Sequence, residues 1–147
     1  DNKTLHDKVE LSLANKITPI FCCGETLDVR NKGTHKDFVL SQLQETIYNL
    51  SADDFSKVII AYEPIWAIGS GMTASIDDIQ EMHSAIRSSI KTNYGSAISR
   101  NTSILYGGSV KPINAKDIFD LEDVNGGLIG GASLVANDFF DIVNSIS

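Results

Sequence analysis

Glu63 closes a strand-like apolar run, residues 58–62, and Pro64 follows it directly. A residue that precedes proline is held in the extended conformation, so the Glu63 carboxylate should project from the strand end with little backbone freedom. The next side chains, beginning with Ile65 and Trp66, are apolar, and a carboxylate becomes a stronger base when apolar groups displace water from it. The pattern favours Glu63 as a general base over an ordinary surface carboxylate.

The segment after Trp66, residues 67–71, is small and apolar, with glycine at two of its five positions. Apolar side chains can cover a ligand and exclude water, while Gly69 and Gly71 supply permissive dihedral angles and accessible N–H groups. We interpret this segment as a lid over Glu63.

Two further strand ends carry paired glycines, in residues 106–109 (YGGS) and 130–133 (GGAS). Glycine leaves the backbone N–H open to a ligand, and two such loops side by side would form a cradle for a phosphate group. Either pair alone is more typical of a tight turn. Together, on the last two strands of a parallel sheet, they favour phosphate binding.

The elements that would position these residues alternate regularly along the chain. Short apolar runs predict four buried strands, at residues 17–23, 58–62, 103–106 and 126–129. Helical periodicity predicts helices at residues 4–16, 38–50, 76–90, 113–119 and 137–144, with Ser75 and Asp78 as an N-terminal capping box. Near-continuous apolar strands that alternate with helices are typical of an α/β fold with a parallel sheet.

Composition excludes several classes of partner. The formal net charge is −7 with scattered acidic residues, which argues against nucleic acid. No stretch approaches the roughly 20 apolar residues needed to cross a bilayer, and no basic-then-apolar leader is present, so we expect no membrane partner and a cytoplasmic location. Cys22 and Cys23 are adjacent in a predicted strand and cannot easily bridge, so we expect both to be reduced and buried.

The lid and the two glycine loops together resemble the triosephosphate isomerase family. The segments that carry the resemblance are YEPIWAIGSG (62–71), YGGS (106–109) and GGASL (130–134), in that order, and it extends from CCGETLDVR (22–30) to the last helix. The resemblance implies a (β/α)8 barrel that interconverts dihydroxyacetone phosphate and glyceraldehyde 3-phosphate without a cofactor or metal. Because this family is itself the standard example of a glutamate base, a neutral histidine electrophile and a closing loop, these roles come from the resemblance.

The resemblance also assigns roles by position. Glu63 is the base, Tyr106 latches the closed lid, and the phosphate receives N–H groups from Gly69, Ser109 and Gly131, with Gly130 beside them. The lid comprises Pro64, Ile65, Trp66, Ala67, Ile68, Ser70, Gly71, Met72 and Thr73, of which the first three form its N-terminal hinge.

Further positions match residues that support the family's site. Cys22 resembles a buried strand cysteine, Glu25 and Arg30 a charged pair, and Arg87 an arginine that pairs with an acid, here Asp123. Two positions depart from the pattern. Met72 stands where many members have lysine, and Asn125 where many have aspartate, so an ion pair from that acid is not expected.

The four predicted strands resemble only strands five to eight of the barrel. We therefore expect one incomplete domain, residues 1–147, that lacks the N-terminal half with its asparagine, lysine and electrophilic histidine. None of His6, His35 and His83 should replace that histidine, because each fits a surface or helix-packing role. The chain alone should have little isomerase activity and should self-associate, whereas the intact enzyme should be a homodimer. The alternatives are another sugar-phosphate isomerase, or a non-catalytic half-barrel that binds phosphate or assembles with a partner.

Overall fold

In the described residues, the fold alternates three strands with seven α-helices. In a computed structural model, residues 1–69 and 72–146 are described. The elements in chain order are α1 (Asn2–Ala14), β1 (Ile20–Cys23), α2 (Leu27–Asn31), α3 (His35–Thr46), α4 (Ala52–Phe55), β2 (Ile59–Tyr62), α5 (Ile76–Asn101), β3 (Ile104–Tyr106), α6 (Pro112–Phe119) and α7 (Ala136–Asn144), with 3₁₀ turns at Ile65–Ala67 and Gly131–Leu134.

The sheet is parallel, as predicted, with the order β1-β2-β3. Its register pairs Ile20 with Ile59 and Ile60 with Ile104. The first predicted strand is three residues too long at its start, because Pro19 has no N–H to donate to a ladder. Parallel neighbours place the carboxyl ends of all three strands at one edge of the sheet.

The predicted fourth strand at residues 126–129 is wrong in the described part of the chain. Only an isolated parallel bridge forms there, between Tyr106 and Gly127. Gly126 has φ of 143°, which lies outside strand geometry, and glycine gains no side-chain packing that would extend the ladder. The segment still runs beside β3, since Leu128 donates its N–H to the Tyr106 carbonyl at 2.9 Å.

The two faces of the sheet differ in burial at β1, whereas on β2 Ala61 is buried on the second face. Phe21, Ile60, Tyr62, Ile104 and Tyr106 are buried on the face that the helices cover. Because successive strand residues alternate between faces, Ile20, Cys22 and Ala61 lie on the other face. Ile20 is 45% exposed there and Cys22 is also exposed. Within the described residues, this second face has no covering layer on β1.

Cys22 therefore contradicts the expectation that both cysteines are buried. Cys23 points into the helix-covered core and is 4% exposed, whereas Cys22 points to the open face. Both are free thiols. In a strand that is covered on one side only, adjacent residues cannot both be buried.

The helices pack through the apolar stripes that the sequence predicts. Ile79, Met82, Ile86 and Ile90 of α5 are all fully buried, and the Ser75 capping box forms with Asp78. The short helices α2 and α4 were not predicted, because four or five residues carry too little periodicity. In the described part of the chain, no helix is long and apolar enough to span a membrane.

Candidate active site

A cavity of about 470 Å³ opens at the edge of the sheet where the strands end. Its lining comes from Ala67–Gly69 of the lid, from the loop around Gly107–Ser109 with Lys111, from the loop around Gly130–Ala132, and from Asp138 of α7. The sequence reasoning assigned the lid and the two glycine loops to one ligand, and the structure brings them together. No hydrogen bond to another described residue uses the N–H of Ser109 or Gly131, so both remain available to a ligand.

Glu63 follows β2 directly and is half-buried. Its backbone N–H donates to the Cys23 carbonyl at 2.7 Å, which fixes the start of the side chain. Pro64 is extended, with φ of −62° and ψ of 105°. By strand alternation the Glu63 side chain lies on the open face, on the same side as Cys22.

Gly107 makes the space that the Glu63 side chain occupies. A Cβ at Gly107 would lie 2.5 Å from Glu63 Cγ and 2.9 Å from its Oε1. Gly107 also lines the cavity, so the Glu63 side chain packs behind one wall of it, although Glu63 itself is not a lining residue. Gly24 permits a second close approach, since its Cβ would lie 1.8 Å from the Glu63 carbonyl oxygen.

These contacts revise the role of the first glycine pair. We predicted that both glycines expose N–H groups to a phosphate, yet Gly107 accommodates Glu63 and Gly108 accommodates the Tyr106 hydroxyl, which a Cβ would approach to 2.1 Å. The sequence gives no sign of these two contacts. Glu63 follows a different strand from Gly107, and the approach of Tyr106 to Gly108 depends on the rotamer of the Tyr106 side chain.

The Cys22 thiol borders the Glu63 carboxylate. Although Cys22 is exposed as a residue, partial desolvation of its thiol raises the thiol pKa, and the adjacent negative charge of Glu63 raises it further. Burial also raises the pKa of the Cys23 thiol. Both thiols are therefore poor nucleophiles, and Cys22 reports on the charge at Glu63.

The N-terminal hinge of the lid is anchored by Glu25, which is fully buried. Its Oε1 accepts hydrogen bonds from Trp66 Nε1 at 2.8 Å, Tyr62 Oη at 3.1 Å and Arg30 at 3.3 Å. The Glu25 carbonyl also accepts the Ile65 N–H at 3.0 Å. The predicted pair of Glu25 and Arg30 is confirmed as an ion pair. Burial, followed by the Glu25 charge, raises the pKa of Tyr62, so its hydroxyl stays a donor.

The described part of the lid exposes apolar side chains to solvent. Ile65, Ile68 and Met72 are 53%, 46% and 43% exposed, and Thr73 is exposed as well. Gly69 has φ of 65°, a conformation that favours glycine. Ser70 and Gly71, which we also assigned to the lid, lie outside the described residues.

Tyr106, the predicted latch, is fully buried on the helix-covered face. Its hydroxyl has no hydrogen-bond partner among the described residues. Burial, with smaller contributions from Asp78 and Glu25, raises the pKa of Tyr106 to about 12, so it remains protonated. The latch role stays a prediction.

The histidines all lie away from the Glu63 carboxylate. His83 is fully buried on the helix-covered face, where its ring meets Tyr62 edge-on at 5.8 Å between centroids. Burial lowers the pKa of His83 to about 4. His6 contacts the Thr46 carbonyl at 2.7 Å, and His35 contacts Glu81 at 3.3 Å. Their helix-packing and surface positions agree with the prediction.

The predicted pair of Arg87, in α5, and Asp123 is confirmed, with 3.1 Å between Arg87 Nε and Asp123 Oδ1. Asn125 replaces the expected acid with an amide that still accepts from Arg87 at 2.7 Å and from the Ile104 N–H at 2.9 Å. Asn125 therefore bonds Arg87 without forming an ion pair, as expected.

One ion pair next to the lid was not predicted from the sequence. Arg30 also pairs with Asp78, which we had assigned only to the capping box. Burial opposes ionisation of Asp78, but hydrogen bonds from Ser75 and Arg30 outweigh it and lower the pKa of this carboxyl. Because Arg30 and Asp78 are 48 positions apart, local spacing gives no signal of the contact.

Comparisons with known proteins match nearly the whole chain to one family. The family model described as triosephosphate isomerase matches residues 1–146. The triosephosphate isomerase of Cytophaga hutchinsonii is 57% identical over 144 residues, which cover 98% of this chain and 57% of that protein. The enzymes of Bacteroides fragilis and Flavobacterium johnsoniae are 53% and 50% identical over 97% and 95% of this chain. The chain thus spans 56–57% of the length of these relatives.

Proposed function

The chain belongs to the triosephosphate isomerase family, and on that premise we propose that it carries the base and the phosphate site of an enzyme that interconverts dihydroxyacetone phosphate and glyceraldehyde 3-phosphate. The observation that carries the proposal is the cavity that Gly69, Ser109 and Gly131 line with their neighbours. Gly107 in the wall of this cavity packs against the Glu63 side chain. A triose phosphate is short enough for its phosphate to occupy such a cavity while its reacting carbons lie beside Glu63.

In the proposed reaction, Glu63 removes a proton from the carbon next to the carbonyl and returns it to the adjacent carbon. The electron pair of the broken C–H bond passes into an enediolate, and the proton of the hydroxyl group moves to the former carbonyl oxygen. The exchange is therefore an internal redox step that needs no external oxidant or reductant. Half-burial beside apolar lid residues supports Glu63 as the base.

The phosphate would be held by backbone N–H groups of Gly69, Ser109 and Gly131, with Gly130 alongside. The accessible N–H groups of Ser109 and Gly131 support this role, as does the left-handed backbone at Gly69. Oriented N–H donors stabilise an anion without a positively charged side chain. Lid closure, with Tyr106 as latch, would then exclude water from Glu63.

No histidine lies beside Glu63 in the part of the chain that the structure describes, so this part shows no electrophile of the kind that the family uses. All three histidines are described, and His83 lies on the opposite face of the sheet from the Glu63 side chain. Polarising the substrate carbonyl normally requires such a group. We therefore propose that this chain is one incomplete barrel domain, corresponding to the last four β/α units, and that it has little activity by itself.

The partners follow from the same proposal. The uncovered sheet face, with Ile20 and Cys22, is where a complementary half would pack, and by itself it favours self-association. An intact homodimer and a cytoplasmic location, without nucleic-acid or membrane partners, complete the proposal.

A mixing experiment tests the proposed activity. The relatives carry a further barrel half that these residues do not match. The purified chain is mixed with a segment that corresponds to that half, and isomerisation is followed by a coupled assay. We expect turnover in the mixture only, and Glu63→Gln should reduce it about 10²- to 10⁴-fold. Glu122→Gln, the same change at an exposed glutamate, is the control and should leave turnover unchanged. Equal turnover in both variants would refute the role of Glu63.

A second candidate is a non-catalytic phosphate-binding module. The described residues favour it because the phosphate cavity is formed within this chain while no electrophile accompanies it. Phosphate binding without turnover in the mixture would support the module. Turnover of another sugar phosphate, with none of triose phosphate, would indicate a different isomerase.

A further inference from the structure

Arg30 joins groups that belong to both ends of the lid. It lies in α2, far in sequence from the lid, and its side chain is 13% exposed. One guanidinium nitrogen is 3.3 Å from Glu25 Oε1, and another pairs with the Asp78 carboxylate. The guanidinium carbon also lies 5.3 Å from the centre of the Trp66 ring.

These contacts lie on opposite sides of the lid segment. Trp66 is in the N-terminal hinge, where its indole N–H donates to the same Glu25 oxygen at 2.8 Å. Asp78 is in the first turn of α5, immediately after the lid, where its carboxylate also accepts the Ser75 N–H at 3.2 Å. Arg30 therefore contacts Trp66 at the N-terminal end of the lid and Asp78 shortly after its C-terminal end.

Building on the proposed function, we propose that Arg30 is a positioning residue that fixes the two ends of the lid relative to each other, and that it thereby sets where Gly69 lies beside the phosphate cavity. Arg30 acts through Trp66 and Asp78 and contacts no ligand itself.

The chemistry of the site requires arginine in particular. A planar guanidinium can bond two carboxylates in different directions while it lies over an aromatic ring, whereas a lysine ammonium is a single point charge. Glu25 is fully buried, and among the described residues Arg30 is the cation that pairs with it. Removal of Arg30 therefore leaves a buried carboxylate without its counter-charge, and the Trp66 hydrogen bond to that carboxylate loses its support.

Trp66 is the only tryptophan of the chain, so its fluorescence reports the lid hinge without interference. We would measure acrylamide quenching in the full 147-residue chain for wild type and Arg30→Gln. The control is Lys57→Gln, which removes one positive charge from the exposed pair with Asp54. We expect the quenching constant to rise about twofold in Arg30→Gln and to stay unchanged in the control, because local opening exposes the indole.

Two further variants separate positioning from general destabilisation. Asp78→Asn keeps an acceptor for the Ser75 N–H but removes the charge, and Asp54→Asn is its matched control. Arg30→Lys keeps the charge but not the planar geometry. We expect Asp78→Asn and Arg30→Lys to give intermediate quenching. If Arg30→Gln does not fold by circular dichroism, these two variants carry the test. Quenching equal to wild type in the folded variants would overturn the proposal.

Inorganic phosphate separates this inference from the proposed function. Phosphate binding is followed by ³¹P line broadening, and the lid response by Trp66 emission. We expect Arg30→Gln to bind phosphate more weakly than wild type, because Gly69 is no longer held beside the cavity, and its emission change at saturating phosphate to be at least halved. An undiminished emission change would overturn the role of Arg30. Absence of phosphate binding in wild type would refute the proposed phosphate site, and the quenching comparison would still decide the role of Arg30.

Discussion

At the scale of single residues, the site depends on Glu63 and equally on the two glycines, Gly24 and Gly107, whose lack of a side chain makes room for it. The sequence predicts the base, because a glutamate held before proline at a strand end has a restricted direction. It does not predict that Gly107 and Gly24 face Glu63, because those contacts cross between strands. Contacts that depend on register between distant segments leave no local pattern.

Cys22 offers a direct reading of the charge at Glu63. Because the Glu63 carboxylate adds to the effect of burial on the Cys22 thiol, Glu63→Gln should lower the pKa of that thiol part of the way toward its ordinary value. The measurement is the rate at which Cys22 is alkylated in the native protein as a function of pH. Cys23 should not react, because it is buried. An unchanged profile would show that the Glu63 carboxylate is not beside Cys22.

The two glycines around Glu63 should respond differently to alanine. Gly107→Ala meets a flexible side chain, so it should displace the carboxylate and reduce turnover of the mixed protein about 10²-fold, with a change in unfolding free energy below about 1 kcal/mol. Gly24→Ala meets a backbone carbonyl that cannot move freely, so it should lower the unfolding free energy by more than about 2 kcal/mol. Urea denaturation and the coupled assay distinguish the two, and equal loss of stability would contradict this assignment.

At the scale of elements, most of the framework follows from pattern. The apolar stripe of α5 and its capping box agree with the prediction, and α6 ends at Phe119 as predicted but begins one residue earlier, at Pro112. The fourth strand does not form as predicted, because an apolar run shows only that a segment can be buried, and strand geometry also needs compatible dihedral angles at Gly126. Burial of Cys22 was mispredicted because a sequence does not show which face of a sheet is covered.

His83 should make the packing of α5 against the sheet sensitive to acid. Its pKa is about 4 in the folded protein and near 6.5 when unfolded, so between these values the unfolded state binds the proton and the folded state does not. The His83 contribution to stability is therefore present above about pH 6.5 and is lost as the pH falls toward 4, by about 2 to 3 kcal/mol.

The comparison that isolates this effect is wild type against His83→Gln in urea unfolding across that pH range. Arg87 and Asp123, which adjoin the imidazole, are common to both proteins, so their own titration cancels in the comparison. We expect the stability of the variant to depend less on pH in this window. A parallel decline in both proteins would assign the acid sensitivity to other groups.

At the scale of the whole molecule, the uncovered sheet face is the main departure from a self-sufficient domain. Ile20 is 45% exposed on it, and α7 exposes Phe139, Phe140 and Val143. Apolar surface and an unpaired strand edge together favour association. We expect sedimentation velocity of the purified chain to show dimers or larger species that grow with concentration.

Charged substitutions locate the associating surface. Ile20→Lys should shift the population toward monomer, whereas Ile113→Lys, at a side chain that is 90% exposed on α6, should not. A compact monomer at all concentrations would contradict the incomplete-barrel account, because such a sheet face should not remain uncovered in water.

The central claim is that Glu63 transfers a proton of a triose phosphate held by the two glycine loops. Solvent-deuterium incorporation into dihydroxyacetone phosphate, followed by ¹H NMR with the mixed protein, tests it most directly because it detects the proton transfer itself. We predict deuterium at the carbon next to the carbonyl with wild type and Glu122→Gln, and a rate about 10²- to 10⁴-fold lower with Glu63→Gln. Incorporation at the same rate with Glu63→Gln would contradict the claim.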